Sequence, residues 1–161
     1  MRYIIRERLF HLTEDSVITD EAGQAVLQVA GKFFSLHDRL TISDMAGNEV
    51  VQIARRLVAL TPTYEILRGG QEVAEMRKRF FTPFGDRYAI DIPGPNDLEM
   101  RGNFLDHEFV ITQGGTTVAT ISKQWLSLSA TYGVETAPGQ DDVLILACVL
   151  AMDLAEDRES R

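Results

Sequence analysis

Cysteine is nearly absent from this chain of 161 residues: Cys148 stands alone, so no internal disulfide forms and a secreted, disulfide-stapled framework is excluded. A reducing, cytoplasmic setting is expected. Lysine is scarce as well, with only Lys32, Lys78 and Lys123, and the net charge of −8 opposes the broad basic surface that nucleic-acid binding needs. The first ten residues lack the continuous apolar stretch of a signal peptide, because Arg2, Arg6 and Arg8 interrupt them. Low-complexity tracts are missing too. With 45% hydrophobic and 25% charged residues the composition is that of one globular domain over 1–161, and only Asp157 to Arg161 reads as a frayed tail.

Signatures of catalysis are missing in the same way. There is no G-x-S-x-G nucleophile elbow, no Walker A phosphate loop and no pair of Cys-x-x-Cys ligands. Cys148 lies between Ala147 and Val149 in an apolar run, where a free cysteine packs as an inert small hydrophobe. Asp106, His107 and Glu108 are adjacent, and adjacent strand residues face opposite sides, so the triplet does not converge on one ion without a bulge. His11 and His37 stand alone. No metal, no cofactor and no enzymatic activity are expected.

What the chain does have is a repeat. Gly23, Gly47 and Gly70 are spaced 24 and 23 residues apart, and Gly115 follows about two such units later, with Pro93-Gly94-Pro95-Asn96 standing at the intervening turn. After each repeat glycine comes one apolar pattern: Val26 and Val29, Val50 and Ile53, Val73 and Met76, Val118 and Ile121. Before it comes another, such as Leu40-Thr41-Ile42 or Tyr64-Glu65-Ile66. Alternating β-branched and aromatic residues joined by glycine turns are the mark of β-hairpins with one buried face, and counting them predicts about twelve strands. So many strands in an open sheet would leave long edges, and closing them into a barrel removes those edges.

A barrel of that size encloses more room than its own side chains fill. From Val143 to Leu154 the chain is apolar on every helical face until Asp153, and a dozen residues at helical rise span only about 18 Å, short of the roughly 30 Å of a membrane core. Asp141 and Asp142 supply N-terminal negative charge after the break at Pro138-Gly139. The expectation is an all-β fold with one helix, about 141–156, threaded through a closed barrel of antiparallel hairpins, and no transmembrane segment.

These residues resemble the LURP-one-related proteins, which share the tubby-like C-terminal fold with tubby proteins and phospholipid scramblases. The resemblance covers essentially the whole chain and rests on Met1 to Arg8, Gly31-Lys32-Phe33-Phe34-Ser35-Leu36, Pro62 to Ile66, Lys78-Arg79-Phe80-Phe81-Thr82-Pro83-Phe84, Gly102 to Phe109 and Ser122-Lys123-Gln124-Trp125. It implies a closed twelve-strand barrel around a hydrophobic C-terminal helix. It implies no reaction. Because tubby proteins bind phosphoinositides and scramblases act at membranes, it also implies anionic phospholipid as a class of partner.

The chain's own residues point to where such a partner would bind. Lys32, Arg56 and Arg79 each lie nine positions after a repeat glycine, and Lys123 lies eight after Gly115. Equivalent positions of hairpins end at equivalent heights in a barrel, so the four cations are expected to gather on one rim as a site for an anionic headgroup or a phosphorylated small ligand. The alternative is a structural or protein-interaction scaffold, in which these cations pair with Asp38, Asp86 or the acidic tail around Glu156. Tyr64, Tyr88 and Tyr132 recur at corresponding strand positions and read as core or rim packing rather than a ligand cage.

Overall fold

Aspartates close the first two hairpin turns in the same way. Asp20 accepts the backbone N–H groups of Ala22 and Gln24, each at 2.9 Å, and Asp44 accepts those of Ala46 and Asn48 at 3.0 and 2.9 Å. Gly23 and Gly47 complete these turns at φ of 80° and 89°, a region that strains any residue with a Cβ.

The computed structural model describes residues 1–6, 16–32, 39–56, 60–79, 85–103, 108–122 and 131–159. They form β1 (Arg2–Arg6), β2 (Ser16–Asp20), β3 (Ala25–Lys32), β4 (Arg39–Asp44), β5 (Glu49–Arg55), β6 (Thr63–Arg68), β7 (Gln71–Lys78), β8 (Asp86–Asp91), β9 (Leu98–Asn103), β10 (Glu108–Gln113), β11 (Thr116–Ser122) and β12 (Thr131–Thr136), then the helix α1 (Asp142–Glu159). Every strand is antiparallel to its sequence neighbours, and β1 pairs with both β2 and β12, so the sheet is the expected closed barrel. The helix begins one residue later than anticipated and runs three residues further.

The valine spacing has a specific cause. Residues three apart on a regular strand face opposite sides. Here the register jumps where Ile18 pairs with Leu27 but Thr19 with Ala25, so Val26 is the extra residue of a bulge. The same jump leaves Val50, Val73 and Val118 unpaired in the hairpins β4–β5, β6–β7 and β10–β11. Each bulge resets the alternation, so the valine and the apolar residue three positions on both pack on the core. The hairpin β8–β9, built on the Pro-Gly turn, keeps its register throughout.

Inside the wall, Ile18, Leu40, Ile42, Ile53, Ile66, Ile90 and Ile111 are fully buried around α1, whose own Leu146, Ala147, Cys148, Leu150, Ala151 and Met152 have no exposed surface. The helix is the filling a twelve-strand barrel requires.

Antiparallel closure gives the barrel two unlike ends. The odd-numbered strands start at one end, the turn rim, where the short turns lie, and finish at the other, the loop rim, where the connections lie largely outside the described residues. α1 enters at the turn rim behind β12 and ends at the loop rim.

Candidate functional site

Lys32 closes β3, Arg56 directly follows β5 and Arg79 directly follows β7, and because these strands run the same way the three backbone positions lie at the loop rim. Lys123 directly follows β11 and lies outside the described residues. Arg56 is held on the outer wall. Its guanidinium meets Glu65 at 2.7 Å, Glu75 at 3.1 Å and Glu72 at 3.9 Å. Glu65 and Glu75 are direct cross-strand partners, a like-charge pair that would repel without a cation between them. The hydrogen bonds that Arg56 donates to Glu65 and the charge of Glu75 hold the Arg56 guanidinium above its ordinary value, while burial and then the charges of Glu65 and Glu75 push Glu72 upward. The three carboxylates gather within 4.8 Å, and Arg56 supplies the positive charge they share. Arg79 is exposed, its backbone N–H donating to Arg87 O at 2.9 Å, and its side chain has no ion pair among the described residues.

A second constellation lies on the core side of the same rim. Tyr64, Tyr88 and Tyr132 are fully buried, as packing residues should be, yet two of them also carry polar contacts to the helix. The Tyr88 hydroxyl donates to Glu156, and the Tyr132 hydroxyl donates to Asp153 at 3.1 Å. Lys78 Nζ donates to Glu156 Oε1 at 2.9 Å, stands 3.5 Å from Asp86 and lies 5.8 Å from the centre of the Tyr88 ring. Asp153 and Glu156 are each only 7% exposed. Three positions apart, they share one face of an otherwise apolar helix and define its rotation, which apolar packing alone leaves open. Asp86 and Glu156 were anticipated as acidic partners, but the cation that takes them is Lys78, the inward neighbour of Arg79. The available sequence signal was the interruption of the apolar run at Asp153 and Glu156.

At the turn rim the helix is held differently. Arg68 donates twice to Asp141, both at 2.7 Å, and Leu144 N–H caps the same carboxylate at 3.2 Å. The Arg68 hydrogen bonds keep Asp141 below the usual carboxylate range. Tyr3 donates to Asp142 at 2.6 Å, and burial followed by that hydrogen bond pushes its hydroxyl up to about 12.

Cys148 is fully enclosed, and burial pushes its thiol up to about 12, which keeps it protonated and inert at neutral pH. Of the acidic and histidine triplet, Glu108 begins β10 and is exposed, while Asp106 and His107, like His11 and His37, lie outside the described residues.

A closed antiparallel barrel threaded by its own C-terminal helix is a distinctive class of fold. The chain belongs to the LURP-one-related family, whose sequence model matches residues 1–153. It is 32% identical over 152 residues to the Bacillus subtilis (strain 168) protein YxjI, described as uncharacterized, covering 93% of this chain and 90% of that one. The X-ray structure of the Arabidopsis thaliana protein AT5G01750 has the same fold, with a TM-score of 0.69 at 18% identity over 99% of this chain and 91% of that one.

Proposed function

We propose that this protein is a non-enzymatic, cytoplasmic binding module whose loop rim receives an anionic group, either a phospholipid headgroup at a membrane surface or a phosphorylated small molecule. The observation that carries the reading is the segregation of charge along the barrel axis. Asp20, Glu21, Asp44, Glu49, Asp97, Glu99, Asp141 and Asp142 lie at the turn rim beside Arg2 and Arg68, whereas Lys32, Arg39, Arg55, Arg56, Lys78, Arg79 and Arg101 lie towards the loop rim beside Asp86, Glu108, Asp153 and Glu156. A chain of net charge −8 thereby gathers most of these cations towards one end, where they would act on an anionic surface within a Debye length of about 8–10 Å. No helix among the described residues is long and apolar enough to cross a membrane.

Co-sedimentation with phosphatidylcholine vesicles, with and without an anionic phospholipid, tests the reading. Binding that requires the anionic lipid and weakens with salt is expected, and reversal of Lys32 and Lys123 to Glu should abolish it while barely moving the melting temperature. Indifference to anionic lipid at low salt removes the membrane version. A fall in stability with vesicle binding unchanged would assign the two lysines to structural ion pairs instead.

A further inference from the structure

We infer that Arg79, Arg87 and Arg101, side by side at the loop-rim ends of β7, β8 and β9, form a binding row on the outer wall for the phosphate group of a phosphomonoester. The inference rests on the reading of that rim as anion-receiving, and it names the residues that hold the anion.

Register brings the three together on one face. Lys78 is the direct partner of Tyr88, and the next rung is closed by the Arg79 N–H, which donates to Arg87 O at 2.9 Å. Arg87 is in turn the direct partner of Arg101. Direct partners share a face of the sheet, and the residues one step away turn inward: Lys78 meets Glu156 of α1, while Tyr88 and Met100 are fully buried. The three arginines therefore all stand on the outer face, Arg79 and Arg101 exposed and Arg87 half-buried. Cβ atoms of direct partners lie about 4.5–5.5 Å apart, less than the length of an arginine side chain, so Arg79 and Arg101 reach an anion seated over Arg87 from its two sides.

Like charges set directly opposite one another destabilise a sheet. One row nearer the turn rim the same wall shows the usual remedy, for Arg77 meets Asp91 at 2.7 Å and Glu75 at 3.6 Å. The arginine row has no carboxylate position of its own: beyond Arg101 it continues through Val110 and Thr120. Glu99, from the row below, approaches Arg87 at 4.0 Å and offsets one charge of the three. A phosphomonoester carries close to two negative charges at neutral pH, so it balances the other two, and its oxygens match guanidinium forks in pairs. A monoanionic phosphodiester or carboxylate supplies half that charge.

Calorimetric titration of inorganic phosphate into the full chain tests this, beside co-sedimentation with phosphatidylcholine vesicles carrying either phosphatidate or phosphatidylserine. The native chain should bind phosphate. Arg87→Gln and Arg101→Gln should each weaken that binding about tenfold or more, and Arg87→Lys should fall between because it keeps the charge and loses the fork. Arg77→Gln removes the same charge from the same wall one row away, and its phosphate binding should stay within about twofold of the native chain's. Phosphate should raise the melting temperature of the native chain and leave that of Arg87→Gln unmoved. The same melting curves report whether each variant folds, and the exposed Arg101→Gln carries the test if Arg87→Gln does not. A preference for phosphatidate vesicles identifies a lipid headgroup as the source, and phosphate binding without that preference identifies a free phosphomonoester. Phosphate binding undiminished in Arg87→Gln and Arg101→Gln overturns the row, and so does an equal loss in Arg77→Gln, the mark of a diffuse field. A native chain that sediments with anionic vesicles yet ignores phosphate also overturns the row but leaves the rim reading standing, whereas indifference to both overturns the two together.

Discussion

The helix is tied to the barrel at both ends, and the two ties differ in burial more than in chemistry. At the turn rim Arg68 holds Asp141 with side chains 36% and 44% exposed, so water competes for both charges. At the loop rim Lys78 holds Glu156 with side chains 10% and 7% exposed, and a tyrosine hydroxyl completes the carboxylate's shell. An exposed pair contributes little and is lost at little cost. A buried pair gains little over an apolar replacement, but losing one partner strands the other charge away from water. The turn rim is thus tolerant, while the loop rim combines a rigid, charge-balanced interior with exposed cations at its lip, of which Arg79 has no ion pair among the described residues.

The part of α1 between the two ties sets the largest expected effect. Leu146 and Leu150 are fully enclosed, so Leu146→Asp or Leu150→Asp puts an unpaired charge in the barrel at a cost of several kcal/mol, against a total stability of about 5–15 kcal/mol. Loss of the cooperative thermal transition is expected in circular dichroism, and a retained transition would mean that the helix does not fill the barrel.

Urea unfolding of the two ties sharpens the comparison directly. Lys78→Met should cost about 3–5 kcal/mol, and adding Glu156→Leu should recover much of that loss because no charge then remains buried. Arg68→Gln should cost under about 1 kcal/mol. Equal costs for Lys78→Met and Arg68→Gln would break the distinction by burial. A smaller effect belongs to the wall between them. At Gly102 on β9, an added Cβ would stand 2.7 Å from Cα and Cδ1 of Phe109 on the next strand, so Gly102→Ala should cost about 1–3 kcal/mol through overpacking, read as a lower urea midpoint with an unchanged slope.

The same contrast explains what could be read from sequence. The turn rim is local: Asp20 bonds residues two and four positions away, so Asp-x-x-Gly announces the first two turns, and the glycine spacing that runs on through Gly70 and Gly115 announces the strand count and the barrel. The bulges were visible only as an i, i+3 valine spacing, whose meaning depends on the partner strand's register. The loop rim is non-local. Glu156 stands 78 residues from Lys78, and no short-range pattern links them. The slot holding Lys32, Arg56 and Arg79 was legible as a position, but Arg56's commitment to Glu65 and Glu75 follows from which strands lie side by side. Arg55 and Lys78, each one residue before a slot cation, fall on the core-facing row, and that one-residue difference separates the buried cluster from the lip.

The smallest expected effect concerns pH and belongs to the turn rim alone. Asp141 is held below its usual range chiefly by hydrogen bonds from Arg68, against the opposing effect of burial. A carboxylate whose folded value is depressed contributes stability that is present above its unfolded value and is lost as pH falls through the folded one. The native chain should therefore keep this contribution at neutral pH and lose it progressively below about pH 4, where unfolded aspartate takes up its proton. Arg68→Gln removes the cause of the depression. The stability difference between native and Arg68→Gln chains should hold steady from neutral pH down to the carboxylate range and then shrink towards zero, staying under about 1 kcal/mol throughout because the pair is solvated. Urea midpoints of the two chains across that range measure it. A difference that grows as pH falls would mean that Arg68 acts on some group other than Asp141.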